Sequence, residues 1–220
     1  MPTISASILA ANHVYLAKDV MELERNKVDW IHVDIMDGHY VNNLTFGPKT
    51  IEDLRKVTSL PIDVHLEMYR QDQVIDSFIS AGADMITIQF ESCPHPLRAI
   101  EQVKKRGCQV SMAFAPTATF DQIQSLVRDV DQVNLMTVEP GFGGQPLRRE
   151  VLPKIKRVRD LVESENLPAI IAVDGGVNEW TIPDLVLHGA QNLVIGTMLF
   201  SNEDVSRNVE KVKSLFLIKS

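Results

Sequence analysis

His32 and Asp34 stand two residues apart in the run WIHVDIMDG, so on a β-strand both side chains leave the same face. His65 in PIDVHL and Asp174 in VDGG close two further apolar runs. Two neutral imidazoles and two carboxylates make a reasonable N₂O₂ set for Zn²⁺, Fe²⁺, Co²⁺ or Mn²⁺. The alternative is that one or both histidines simply hydrogen-bond inside a polar core. A second chemistry is offered by three glycine-bearing turns: Gly141-Phe142-Gly143-Gly144, Gly175-Gly176 and Gly196-Thr197. Glycine lets backbone N–H groups close around a phosphate. Plain turns are the competing reading, because turns use Gly and Pro in any case. Lys49, Lys104, Lys105 and Lys154 all fall in helical stretches, which speaks against a Schiff-base aldolase. Neither a GxGxxG nor a Walker motif is present, so no nucleotide cofactor is indicated.

These residues need a scaffold, and the pattern of the chain supplies one. Short β-rich apolar runs occur near 3–8, 30–35, 62–66, 84–90, 109–114, 133–138, 169–173 and 192–196, and read as strands covered on both faces. Helical spacing follows several of them. Val14–Asn26 carries Leu16, Val20 and Leu23; Gln71–Ala81 carries Val74, Ile75, Phe78 and Ile79; Pro153–Glu165 carries Ile155, Val158, Leu161 and Val162. Gly82, Gly107 and Gly189 each follow such a pattern, where a left-handed residue ends a helix. Ser201 or Asn202 is expected to cap a last helix through Leu217. Alternating β and α units predict a (β/α)₈ TIM barrel over residues 1–220 as a single domain. A doubly wound open sheet is the rival. In a barrel the active site lies at the C-terminal ends of the strands, where Ser7, His32, Asp34, His65 and Asp174 all fall.

The 220 residues include 45% hydrophobic and 23% charged side chains, an ordinary globular composition. Formal charge is −7, so broad charge-driven binding to nucleic acid or an anionic membrane is not expected. Cys93 and Cys108 read as ordinary thiols of a reducing compartment. The first residues lack a signal-peptide pattern and no apolar run approaches membrane-spanning length, so a cytoplasmic location is the expectation.

SILAAN, WIHVDIMDGHYVNNLTFGP, PIDVHL, MTVEPGFGGQ, VDGGVNEWT and IGTMLF, in this order from Ser7 to Phe200, resemble the ribulose-phosphate 3-epimerase family. The resemblance implies a barrel of the ribulose-phosphate-binding type that interconverts D-ribulose 5-phosphate and D-xylulose 5-phosphate in pentose phosphate metabolism. It implies one divalent ion per chain on His32, Asp34, His65 and Asp174, with Asp34 and Asp174 as acid/base groups. It further implies substrate and phosphate contacts from Ser7, His65, Gly141, Phe142, Gly143, Gly144, Asp174, Gly175, Gly176, Gly196 and Thr197. Met36 and Met136 would lie near the reaction centre, although as residues alone they could equally be core filler. A homo-oligomer is also implied.

Several positions depart from the family's usual pattern. Glu67 replaces a methionine, Gln89 a frequent histidine, Ala115 an asparagine, Thr197 a serine and Asn42 a proline. Glu67 either brings extra charge to the barrel rim or points outward, and the outward orientation is the favoured expectation. These changes bear on substrate choice, since no ligand or acid/base residue is lost. The alternatives are a sister 3-epimerase for another ketose phosphate such as D-allulose 6-phosphate, a decarboxylase or aldolase on a similar barrel, and a non-catalytic sugar-phosphate-binding barrel.

Overall fold

A computed structural model describes residues 1–201 and 204–216. Its strands β1 (Thr3–Ser7), β2 (Trp30–Met36), β3 (Ile62–Glu67), β4 (Met85–Gln89), β5 (Gln109–Phe114), β6 (Gln132–Met136), β7 (Ile170–Asp174) and β8 (Asn192–Ile195) pair in parallel with their sequence neighbours. Pairing of β1 with β8 closes the barrel. The connections carry α1 (Leu16–Arg25), α2 (Pro48–Arg55), α3 (Ile75–Ala81), α4 (Pro96–Lys105), α5 (Phe120–Leu126), α6 (Leu152–Ser164) and α7 (Ile182–His188); α8 (Thr197–Phe200) and α9 (Val205–Leu215) follow β8. None of the described helices is long and apolar enough to cross a membrane.

Helix starts follow local chemistry. Pro48 and Pro96 open α2 and α4, where a missing N–H costs nothing. Thr119 and Gln122 form a capping box on α5. The stretch expected as one helix from Gln71 begins instead with a 3₁₀ turn, Gln71–Gln73, after left-handed Arg70, and turns α-helical only at Ile75. The reason is a tertiary bond: buried Gln71 donates to the Gln89 carbonyl and accepts from the Gln89 N–H, clamping the end of β4. Gly82, Gly107 and Gly189 are all left-handed, as expected. The last helix is capped by Asp204, whose side chain accepts from the Arg207 N–H, rather than by Ser201; Asn202 and Leu217 lie outside the described residues.

The apolar core lies between strands and helices. Ile31, Val33 and Ile35 of β2 and Val64 and Leu66 of β3 point outward and meet buried residues such as Leu23, Ile51 and Phe78. Burying each such side chain contributes about 1.5–3 kcal/mol. The lumen departs from the apolar lining expected of strands read as continuous hydrophobic runs. Ser5 donates to Asn192, Asn192 to Gln132 and Gln132 to Ser111, in a buried chain of bonds across the barrel. These four polar side chains survive there because each finds a partner, whereas neither side-chain atom of buried Asn134 on β6 has one.

At the N-terminal rim a side chain recurs on every second strand. Asp29, Asp84, Asp131 and Gln191, each just before an even-numbered strand, accept from the N–H of Ile4, Ile62, Val110 and Ile171 at 2.8–2.9 Å. The same four residues return their own backbone N–H to the carbonyls of those partners. Each clasp therefore ties two neighbouring strands at their starts.

Candidate active site

Strand alternation aims His32 and Asp34 of β2, Asp63, His65 and Glu67 of β3, Gln89 of β4, Met136 of β6 and Asp174 of β7 at the lumen. One donor atom each from His32, Asp34, His65 and Asp174 lies within 4.8 Å of all the others. His32 Nε2 is 3.1 Å from Asp34 Oδ1 and 3.6 Å from Asp174 Oδ2. His65 Nδ1 is 3.5 Å from Asp34 Oδ1 and 3.7 Å from Asp174 Oδ2. The residues predicted as a cluster are thus brought together.

Both imidazoles are oriented from behind. His32 Nδ1–H donates to Asp63 Oδ2 at 2.9 Å, and Asp63 also accepts from Thr87. His65 Nε2–H donates to Gln89 Oε1 at 2.8 Å, while Gln89 donates to Glu91. Each ring, when neutral, therefore turns its other nitrogen, as a lone pair, toward the carboxylates. His65 Nδ1 is buried and has no hydrogen-bond partner. An orphaned imidazole nitrogen facing carboxylate oxygens is the donor arrangement a divalent cation takes, so these residues fit one. Ser7, expected to contact substrate, lines the cavity and donates its hydroxyl to Asp34 Oδ2 at 2.7 Å.

The outward orientation of Glu67 does not hold. Its side chain is only 2% exposed, lines the cavity, and brings Oε1 to 3.7 Å from His65 Nδ1. The two-residue period places it above His65 on the inner face, which is the signal that locates it. Asp63, whose role the sequence reading left unassigned, follows from the same period one step below.

Charge in this pocket is sorted by burial and neighbours. Burial works against the cation on His32, but Asp34 and Asp63 outweigh it and hold the imidazole well above its ordinary range. Burial would raise Asp34; His32 and then His65 reverse this and hold the carboxyl well below its usual range. Asp174 is moved the other way: burial raises it, although His32 opposes the rise. Burial likewise pushes Glu67 up to about 8. Against burial, the Asp34 and Glu67 carboxylates lift His65 to about 9.

Above the cluster opens a cavity of about 790 Å³, lined by Met36, Met136 and the glycine turns. Both methionines are buried. Gly143 and Gly144 approach the Thr197 hydroxyl, and Phe142, half-exposed, lines the same wall. Asn43 donates to the Gly141 carbonyl, which ties the β2 loop to this turn. Gly175 and Gly176 are left-handed, with Thr181 and Asn178 donating to the Gly176 carbonyl. A Cβ on Gly176 would lie 2.5 Å from the Leu147 backbone nitrogen, whereas one on Gly143 would meet only Thr197 Oγ1 at 4.0 Å. Gly176→Ala is therefore expected to lower unfolding stability by roughly 2–4 kcal/mol and Gly143→Ala by less than about 1 kcal/mol. Urea midpoints measure the difference; equal midpoints would contradict it.

Comparison with known proteins follows this geometry. Residues 3–200 match the model of the "Ribulose-phosphate 3 epimerase family". The chain is 38% identical to ribulose-phosphate 3-epimerase of Bacillus subtilis over 97% of its own length and 99% of that protein. It is 33% identical to the Escherichia coli K12 enzyme of the same name, covering 96% and 94%. The chloroplastic ribulose-5-phosphate-3-epimerase of Arabidopsis thaliana is 36% identical, covering 96% and 76%. Among solved structures, a mutant tryptophan synthase α-subunit of Pyrococcus furiosus superposes with a TM-score of 0.73 at 14% identity, covering 97% and 98%; this likeness is one of fold.

Proposed function

This chain belongs to the ribulose-phosphate 3-epimerase family and is an isomerase, and from that premise we propose that it converts D-ribulose 5-phosphate to D-xylulose 5-phosphate by proton transfer through Asp34 and Asp174. The observation that carries this reading is the pair itself. Carboxylates from β2 and β7 meet in one cavity, and their surroundings push their proton affinities apart, Asp34 down and Asp174 up. Such divergence is how a site keeps one base and one acid at the same pH.

Asp34, ionised and braced by Ser7, takes the C3 proton. The C–H electron pair becomes the C2–C3 double bond, and the carbonyl pair moves onto the C2 oxygen, giving an enediolate. Asp174, protonated, returns a proton to the opposite face of C3. The roles exchange in the reverse direction. A divalent cation held by His32, Asp34, His65 and Asp174, whether Zn²⁺, Fe²⁺, Co²⁺ or Mn²⁺, supplies Lewis-acid stabilisation of the negative charge that develops on the substrate oxygens. Asp63 and Gln89 keep the two imidazoles in the tautomer that this requires. Met36 and Met136 keep water from C3. The turns at Gly141–Gly144, Gly175–Gly176 and Gly196–Thr197 grip the phosphate through backbone N–H groups and the Thr197 hydroxyl, which fixes C3 between the acids.

The test is a panel of pentulose and hexulose phosphates assayed on protein of defined metal content. D-Ribulose 5-phosphate should give the highest kcat/KM, and deuterium at C3 should wash into solvent. A preference for D-allulose 6-phosphate would move the substrate and keep the chemistry. Absence of turnover and washout across the panel would sink the reading in favour of a sugar-phosphate-binding barrel.

A further inference from the structure

Glu67 is a buried acid that the proton-transfer scheme leaves without work. It is the third inward residue of β3, beside Met36 in register and one step above His65. Its Oε2 is buried without a hydrogen-bond partner, and its ion-pair contact among the described residues is with His65 alone. No lysine or arginine among the described residues pairs with it. The His65 contact is peculiar, because the His65 Nε2 proton is committed to Gln89. His65 Nδ1 therefore turns a lone pair toward Glu67 Oε1 at 3.7 Å, the same separation as its contact with Asp174 Oδ2. Lone pair facing lone pair in a buried site is unfavourable unless a proton or a metal cation lies between them, and a divalent ion that displaces the proton meets both atoms at once.

We propose that Glu67 is a fifth donor to the cation held by His32, Asp34, His65 and Asp174, making a site of two nitrogens and three carboxylate oxygens. The inference rests on the metal reading above and adds one ligand to it. Donors about 2.1 Å from one ion stand roughly 3–4 Å apart, a range that contains the Glu67–His65 spacing; the 4.8 Å cluster of the other four donors does not include a Glu67 oxygen, so the Glu67 side chain must close on the ion as it binds. The methionine that the family resemblance leads one to expect at this position offers only a soft thioether. A carboxylate there adds a hard oxygen and a negative charge, which shifts preference from Zn²⁺ toward Mn²⁺ and other oxygen-seeking ions. It also raises the coordination number above the four of a tetrahedral site.

The experiment compares the full-length wild type with Glu67→Met and Glu67→Gln, each stripped of metal and titrated with Mn²⁺, Zn²⁺ and Co²⁺. Chelator competition gives the affinities, and the visible absorption of bound Co²⁺ reports coordination. Circular dichroism establishes that each variant is folded. Glu67→Gln, the closer isostere, keeps the test standing should Glu67→Met fail to fold. Mn²⁺ affinity should fall about tenfold or more in both variants, with Zn²⁺ affinity falling less. The weak Co²⁺ band of a five- or six-coordinate wild-type site should intensify toward the tetrahedral form in Glu67→Met. Unchanged Mn²⁺ affinity would overturn the assignment. So would weaker binding with an unchanged Co²⁺ spectrum, because Glu67 would then act through its field alone. Wild-type protein that binds none of the three ions would remove the metal reading itself, an outcome distinct from either.

Discussion

Asp174→Asn and Asp34→Asn should each lower kcat by about 10³-fold or more while the barrel stays folded. An amide has nearly the shape of the carboxyl it replaces, but it neither accepts the C3 proton nor delivers one. The two sites differ in what else they lose. Asp34 is almost fully buried, accepts from Ser7 and sits 3.1 Å from His32 Nε2, so its replacement also disturbs the bracing of the cluster. Asp174 stands closer to solvent, and its replacement should leave the rest of the site in place. Hydrogen exchange separates chemistry from damage. Each single variant retains one of the two bases, so it should wash out C3 deuterium from at most one of the two epimers. Steady-state turnover above about a tenth of wild type in either variant would rule out the two-base scheme.

Removal of divalent metal should have an effect of similar size. Prolonged exposure to a strong chelator is expected to bring turnover below about 1% of the starting value, with recovery on returning about one equivalent of ion per chain. The affinity should depend on pH in a definite direction. With no ion bound, His65 is lifted to about 9, burial acting against this and the Asp34 and Glu67 carboxylates prevailing. Below that pH the ring is an imidazolium, and an ion must displace its proton to use Nδ1. Binding should therefore weaken by at least about tenfold for each unit the pH falls below 9, and this contribution should level off above it. Mn²⁺ dissociation constants measured from pH 6 to 9 check the slope. A flat profile would show that binding displaces no proton from His65, so that its ring is already neutral in the ion-free site.

Much of this site is legible in the sequence because strands have a period of two. His32 and Asp34 share a face for that reason, and the strand ends at His65 and Asp174 place them at the same rim. The same period carried one step further along β3 turns Glu67 inward, against the expectation that an unpaired acid prefers water. The polar lining of the barrel was harder to read. Gln132, Ser111 and Asn192 interrupt the strand patterns without revealing that they bond to one another across the interior. The helix over Gln71–Ala81 was misjudged at its start because Gln71 is held by the backbone of Gln89, a contact eighteen residues away in sequence. The Asp204 cap was missed because Ser201 offers an equally good capping residue three positions earlier.

The paired clasps of Asp29, Asp84, Asp131 and Gln191 divide the barrel into quarters, each a two-strand module latched at its own base. All the latches lie at the end of the strands opposite the cavity. Loops over the cavity can accordingly be lengthened, traded or retailored without loosening a latch, and specificity can drift while the foundation stays put. A graft of the 37–47 loop from a relative with different substrate preference is the natural way to exploit that division of labour.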